Sequence, residues 1–224
     1  MLASGRTAGA VVGAGTLLFG AAALLVASGP PAWDAALYRD LNEVPPDAAA
    51  FLTPLSRLCL LGGLSVVVVL ALVYVVLRNR SLFPVAIGAG AALVALVAAN
   101  LAKSVADRPR PYEAVAHAIL RQQPAHGTSF PSSHTAVAFA TVIALLPFVS
   151  RPVAVAAILY AALVGWSRIY VGVHYPLDVF GGAGIGIAVG GVALLVSRGV
   201  LRGPREDAIA SDPGAHERRA RPDP

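Results

Sequence analysis

Six stretches of the chain, at about 7–28, 58–77, 81–102, 131–150, 152–170 and 179–197, run for close to twenty residues, and none holds more than one charged side chain. A helix rises about 1.5 Å per residue, so about 20 residues cross a hydrocarbon layer about 30 Å thick. Inside lipid every backbone N–H and C=O must be paired within the protein, and a helix does this segment by segment. The expected fold is therefore all-α: an integral membrane bundle of six transmembrane helices with short interfacial helices. At 57% hydrophobic and 13% charged residues, the chain holds more apolar material than one soluble core uses.

The first stretch follows Arg6 and ends before Gly29-Pro30-Pro31. It is longer than the apolar region of a signal peptide, and Val26-Ala27-Ser28 makes a poor cleavage site, so it is expected as an uncleaved span. The fifth is short and is expected to borrow Ile169 and Tyr170. Between the first two spans, Trp33, Leu37, Tyr38, Leu41, Phe51 and Leu52 stand among acidic residues, a pattern for short helices in the interface that shape a lipid entrance. The spans are expected to form one domain over 1–201. Residues 202–224, rich in Arg, Asp, Glu, Pro and Gly, are expected to be a disordered cytoplasmic tail.

Cys59 is the single cysteine and lies in an apolar run, which excludes an intrachain disulfide and a thiolate metal cluster. The net charge of +5 does not indicate nucleic acid, because the basic residues are scattered among apolar runs. They report orientation instead. Counting Lys and Arg by side places Arg6, Arg78, Arg80, Arg151, Arg198 and the tail arginines against Arg39, Arg57, Lys103, Arg108, Arg110, Arg121 and Arg168. The larger group marks the cytoplasm, so both termini are expected there in a multi-pass protein of the cell membrane.

Three segments beside the spans gather the chemistry. The first is Lys103-Ser-Val-Ala-Asp-Arg-Pro-Arg110-Pro111, with the only lysine of the chain. It opens the long connection 103–130, and such connections are functional or disordered. The second is Pro131-Ser132-Ser133-His134, where hydroxyls and free N–H groups at a helix start attract an anion. The third is Ser167-Arg168-Ile-Tyr-Val-Gly-Val-His174-Tyr-Pro-Leu-Asp178. Pro176 suits the first position of a helix, which leaves His174 just outside and Asp178 in the first turn. There the carboxylate can fix the imidazole tautomer and free the other nitrogen for attack. In the expected topology all three segments emerge on the extracytoplasmic face.

Taken singly, Lys103 could be a snorkelling residue, Ser132 and Ser133 ordinary caps, and His174 with Asp178 a structural hydrogen bond. Together they offer three cations, two hydroxyls, two histidines and a carboxylate, the set that phosphoryl transfer requires. No carboxylate cluster or Cys/His set has metal-ligand spacing, so neither a metal nor another cofactor is expected.

The spacing Lys-x6-Arg-Pro, Pro-Ser-x-His and Ser-Arg-x5-His-x3-Asp resembles the three-part signature of the type 2 phosphatidic acid phosphatase family, which shares its site with vanadium haloperoxidases. The resemblance covers Lys103 to Asp178. It implies His174 as a nucleophile forming a phosphohistidine, Asp178 as its orienting partner and His134 as general acid and then base. It implies Lys103, Arg110, Ser132, Ser133 and Arg168 as phosphate-binding groups. Arg108 lies outside the signature and is read as a contact to a second phosphate; Asp107 and Glu113 are read as solvated. Ser133 stands where the family usually has glycine, and its side chain is expected to crowd the leaving group. Because two histidines with ordinary pKa values near about 6.5 must take opposite protonation states, a bell-shaped pH profile is expected.

By the same resemblance the substrate is a membrane lipid phosphate, first undecaprenyl pyrophosphate, with phosphatidate or phosphatidylglycerol phosphate as the alternative. A catalytically silent scaffold or transporter is the competing class, and a haloperoxidase the competing chemistry. The oligomeric state is not legible.

Overall fold

The computed structural model describes residues 5–59, 70–71 and 73–202. Among them every regular element is helical. Helix α1 spans Gly5–Ala27, α2 Ala32–Asn42 and α3 Pro46–Arg57. After a helical stretch at 73–79 come α4 (Phe83–Lys103), the single turn α5 (Pro111–Ala114), α6 (Ser133–Leu145), α7 (Arg151–Tyr170) and α8 (Pro176–Arg202). Prolines stand in the first turn of α3, α4, α5 and α7, where the missing N–H costs nothing.

Helices α1, α4, α7 and α8 are each long and apolar enough to cross a membrane. They correspond to the first, third, fifth and sixth expected spans, and α7 runs through Ile169 and Tyr170 as its length demanded. The expected fourth span, 131–150, is shorter. Its α-helix covers 13 residues and passes at Pro147 into a three-residue 3-10 turn, Leu146–Phe148. Proline cannot donate to the preceding turn, so the α-helical ladder stops there. The expected span at 58–77 lies largely outside the described residues, as does the tail beyond 202.

The bundle packs through small residues. Ala91, Ala95 and Ala99 of α4 meet Ala136, Ala140 and Ala144 of α6, two i,i+4 alanine rows with Ile185 of α8 beside them. Helices α1 and α8 touch backbone to backbone: a Cβ on Gly184 would lie 2.4 Å from the backbone nitrogen of Phe19, and one on Gly15 2.3 Å from that of Ala188. Large side chains face outward instead, among them Leu17 at 76% and Leu101 at 66% exposed. Small inside and large outside is the pattern of helices solvated by lipid, where close backbone approach replaces a hydrophobic core.

The two short helices expected between the first spans are α2 and α3. Helix α2 has an inverted character: Asp34, Tyr38 and Asn42, spaced by four, are fully buried, while Trp33 and Leu37 are exposed. Its polar row packs on α7 and α8 and reaches the end of the bundle where the three chemical segments meet.

Candidate active site

Asp178 lies in the first turn of α8 and His174 just outside it, as Pro176 implied. The turn between α7 and α8 is tight. Gly172 has φ +89°, and a Cβ there would come within 2.4 Å of the Ile119 carbonyl oxygen. Only glycine is comfortable in that conformation and that space. The backbone N–H of His174 donates to the Arg168 carbonyl at 3.3 Å, folding the imidazole back over the end of α7. Asn42 and the 119–121 strip of chain brace the turn: Asn42 Nδ2 donates to the Tyr170 carbonyl (3.0 Å), and the Arg121 N–H to the Val171 carbonyl (3.0 Å).

His174 Nδ1 stands 3.4 Å from Asp178 Oδ2. That separation is at the outer limit of hydrogen bonding, and Nδ1 has no other partner although it is buried. Asp178 Oδ2 accepts the Tyr175 N–H at 2.8 Å, and Oδ1 accepts Arg108 Nη1 at 2.7 Å. With Nδ1 toward the carboxylate, Nε2 is the nitrogen left for a reacting group. Burial pushes the His174 imidazole down to about 4, against the opposing pull of Asp178, so it is neutral at physiological pH.

The first and second segments come to the same place. Helix α6 begins at Ser133 with Ser132 as its N-cap, and the Ser132 N–H donates to the Asp178 carbonyl at 2.9 Å, joining the starts of α6 and α8. Ser132 Oγ lies 3.0 Å from Thr135 Oγ1. Ser133 Oγ donates to Asn100 Oδ1 of α4 at 3.3 Å. The charged neighbours of His134 are Arg168, His174, Lys103 and Arg110, so both histidines and three of the cations share one cluster.

The cations differ in how they are held. Lys103 Nζ donates to the carbonyls of Thr128 (2.9 Å) and Ser129 (3.3 Å). Arg110 donates through Nε, Nη1 and Nη2 to the carbonyls of Gly127, Val173 and His126, which ties the 103–130 connection to the His174 turn. That connection is therefore built rather than loose, and two of the five guanidinium N–H groups of Arg110 remain. Arg168 is buried at the end of α7, and its Nε and Nη2 have no partner. Among buried groups a guanidinium with two unpaired nitrogens is costly, and an anion is the partner that would satisfy it.

Two expectations need correction. Arg108 does not extend toward a second phosphate: it is buried between Asp178 and Asp34, to which its Nη2 also donates. Glu113 is exposed but not merely solvated, since its Oε2 accepts the Arg110 N–H at 3.0 Å and caps α5. Asp34 carries no local motif; its i,i+4 companions Tyr38 and Asn42, buried with it on one side of α2, are the only signal the sequence offers.

The PAP2 superfamily model matches residues 83–201, more than half of the chain and all three segments. The chain belongs to the PAP2 superfamily. LpxE of Aquifex aeolicus superposes with a TM-score of 0.61 at 31% identity, over 74% of this chain and 97% of that one. A transmembrane PAP2 type phosphatidylglycerolphosphate phosphatase of Bacillus subtilis gives a TM-score of 0.64 over 85% of this chain and 99% of that one, and at 22% identity it speaks for the fold alone. Undecaprenyl-diphosphatase BcrC of Bacillus subtilis is 40% identical over 99 residues, 44% of this chain and 50% of that protein. The chain thus spans about half the length of that curated relative. With its apolar helices, this PAP2 member is a multi-pass membrane protein.

Proposed function

We propose that this PAP2 chain is a membrane phosphatase that hydrolyses a lipid phosphate or pyrophosphate through a phosphohistidine on His174. The observation that carries the reading is Arg168: a buried guanidinium with two unpaired nitrogens in the same cluster as both histidines. Its natural complement is a phosphoryl group.

In the proposed cycle Lys103, Arg110 and Arg168, with Ser132 and the Ser133 N–H, surround the phosphoryl oxygens. The Nε2 lone pair of His174 attacks phosphorus as the bond to the lipid-side oxygen breaks, and that oxygen takes a proton from His134. The imidazole now bears positive charge, and Asp178 lies behind Nδ1 to offset it. His134 then removes a proton from water, whose oxygen attacks phosphorus; the P–N bond breaks and its electron pair returns to Nε2. Inorganic phosphate leaves. The cations supply the charge stabilisation that a metal ion provides elsewhere, so turnover needs no divalent cation.

Undecaprenyl pyrophosphate is the proposed substrate, supported by the name of the Bacillus subtilis relative. A cavity of about 680 Å³ also favours a long lipid: Phe19, Ala23 and Val26 of α1 line it with Ala102, Val105 and Phe130, and its polar lining is Asp34, Asp107, Arg108 and Tyr175. The site is proposed to open on the extracytoplasmic face with both termini in the cytoplasm, following the bias of basic residues. Phosphate release from undecaprenyl pyrophosphate, phosphatidate and phosphatidylglycerol phosphate, each presented to the protein in detergent, tests the reading. Release from the pyrophosphate at the highest kcat/KM is expected; release from none of the three overturns it.

A further inference from the structure

We propose that Arg108 and Asp34 are positioning residues, and that the buried bridge Asp34–Arg108–Asp178 sets the aim and the charge of the carboxylate behind His174. This rests on the phosphohistidine reading for its consequence in turnover, but not for its effect on the imidazole.

The geometry assigns a task to every oxygen of the two carboxylates. Asp178 Oδ1 accepts Arg108 Nη1 at 2.7 Å, and Oδ2 accepts the Tyr175 N–H at 2.8 Å while facing His174 Nδ1 at 3.4 Å. Asp34 Oδ2 accepts Arg108 Nη2, and Oδ1 accepts the Leu177 N–H at 2.9 Å. The guanidinium lies 4.1 Å from the Tyr175 ring centroid, stacked on the residue that follows His174. Both carboxylates are fully buried and Arg108 nearly so. The carboxylates hold successive backbone N–H groups around Pro176, so the start of α8 is clamped on both sides of the chain that carries the nucleophile.

Charge explains why two carboxylates meet one guanidinium. Asp178 paired with Arg108 alone would be neutral overall, a weak counterion for an imidazole that becomes positive when Nε2 bonds to phosphorus. Adding Asp34 returns one net negative charge behind Nδ1. The other charged or titratable groups that act on His174 come from separate elements: Lys103 at the end of α4, Arg110 in the connection and His134 at the start of α6. Burial lifts the Asp34 carboxyl above its ordinary value, and the bond to Arg108 pulls part of the way back toward the ionised form. Orientation follows as well: a carboxylate released at Oδ1 can rotate about its own side-chain bond and carry Oδ2 away from Nδ1.

The test compares Asp34→Asn, Arg108→Gln, the double variant and Arg108→Lys in the full chain in detergent, with helicity checked by circular dichroism. Ring-nitrogen NMR of 15N-histidine protein, with His174 assigned by its loss in His174→Gln, reads the imidazole without any substrate. Removing the negative charge of Asp34 is expected to move the His174 titration down by about half a unit or more, and removing the positive charge of Arg108 to move it up by as much. The double variant is expected to return it near the wild-type position. Mere structural damage would not give opposite signs. Arg108→Lys keeps the charge but loses the two-armed fork, so its titration is expected to stay near wild type while kcat falls about tenfold or more at little-changed KM. Shifts of one common sign, or no shift, in the two single variants Asp34→Asn and Arg108→Gln overturn the proposal, as does an Arg108→Lys protein with wild-type kcat. If Asp34→Asn or Arg108→Gln does not fold, Arg108→Lys decides alone, through a fall in kcat at an unshifted titration. A wild-type protein that releases no phosphate from the three lipids sinks the function reading and leaves the NMR result standing.

Discussion

Asn42 of α2 grips the backbone of Ile119 at both ends: its Oδ1 accepts the Ile119 N–H at 2.8 Å and its Nδ2 donates to the Ile119 carbonyl at 2.9 Å. The same Nδ2 reaches the Tyr170 carbonyl at 3.0 Å, so one amide joins α2, the long connection and the turn that carries His174. Asn42→Leu removes the amide and leaves these backbone groups without it in a buried place. A loss of about 1–3 kcal/mol is expected, read as a lowered thermal midpoint in detergent, together with a fall in kcat. A variant with wild-type midpoint and turnover would refute the role given to this amide.

Arg168 separates stability from activity in the opposite sense. Its Nε and Nη2 give up no partner on truncation, so Arg168→Gln is expected to unfold at or above the wild-type temperature. The same change removes a donor from the proposed phosphoryl site and is expected to lower kcat/KM by about a hundredfold or more. Thermal unfolding and phosphate release on one preparation check both halves.

The pH dependence follows from His174. A base whose pKa is pushed down to about 4 binds no proton until the pH falls near that value. The nucleophile therefore stays competent through mildly acidic conditions, and the acid limb of kcat/KM is expected near about pH 4 rather than near the ordinary histidine value of about 6.5. The alkaline side of the bell belongs to the enzyme–substrate complex, where the bound phosphoryl anion offsets the cations around His134 and holds its proton, so it is read in kcat. An acid limb at 6 or above that is unchanged when Asp178 is replaced would contradict the assignment.

Ser133 turns its hydroxyl to Asn100 on α4. Held there, it is not directed at a leaving group, so Ser133→Gly is expected to change kcat/KM on undecaprenyl pyrophosphate and on phosphatidate by less than about threefold, with a stability cost of about 0.5–1 kcal/mol for glycine in a helix. A tenfold gain on either lipid would show that the side chain crowds the site after all.

Cations already fill the part that a divalent metal would take, and they would repel one. Chelation with EDTA is accordingly expected to leave phosphate release within about a factor of two. Activity lost with chelator and restored by magnesium would overturn the metal-free cycle.

Much of this site was legible because its residues sit at places where sequence and local geometry agree. Pro176 dictated where α8 starts, which put Asp178 in its first turn and His174 outside it. The apolar stretches gave α1, α4 and α7 to within two residues at each end, whereas α8 starts three residues before and ends five residues after the expected 179–197. Pro147 was the overlooked stop signal within the fourth. The bridge through Arg108 was out of reach for a different reason: Asp34 lies 74 positions away, and nothing local says which side of α2 faces the protein. In water the apolar side of such a helix turns inward, whereas here the polar row Asp34, Tyr38 and Asn42 does. The same blind spot made Arg108 look like a phosphate ligand, because a spare arginine beside an anion site has that role by default unless a buried carboxylate claims it.

The inverted character of α2 has a bearing on how the protein must be handled. Trp33 and Leu37 look away from the protein, and the reverse side of the same helix holds Asn42, which steadies the turn that carries His174. Lipid or detergent chains packed against that outer surface would be separated from the turn of His174 by this one helix. A micelle that covers it poorly will loosen the turn before it unfolds the bundle, so the choice of detergent becomes a variable of turnover itself.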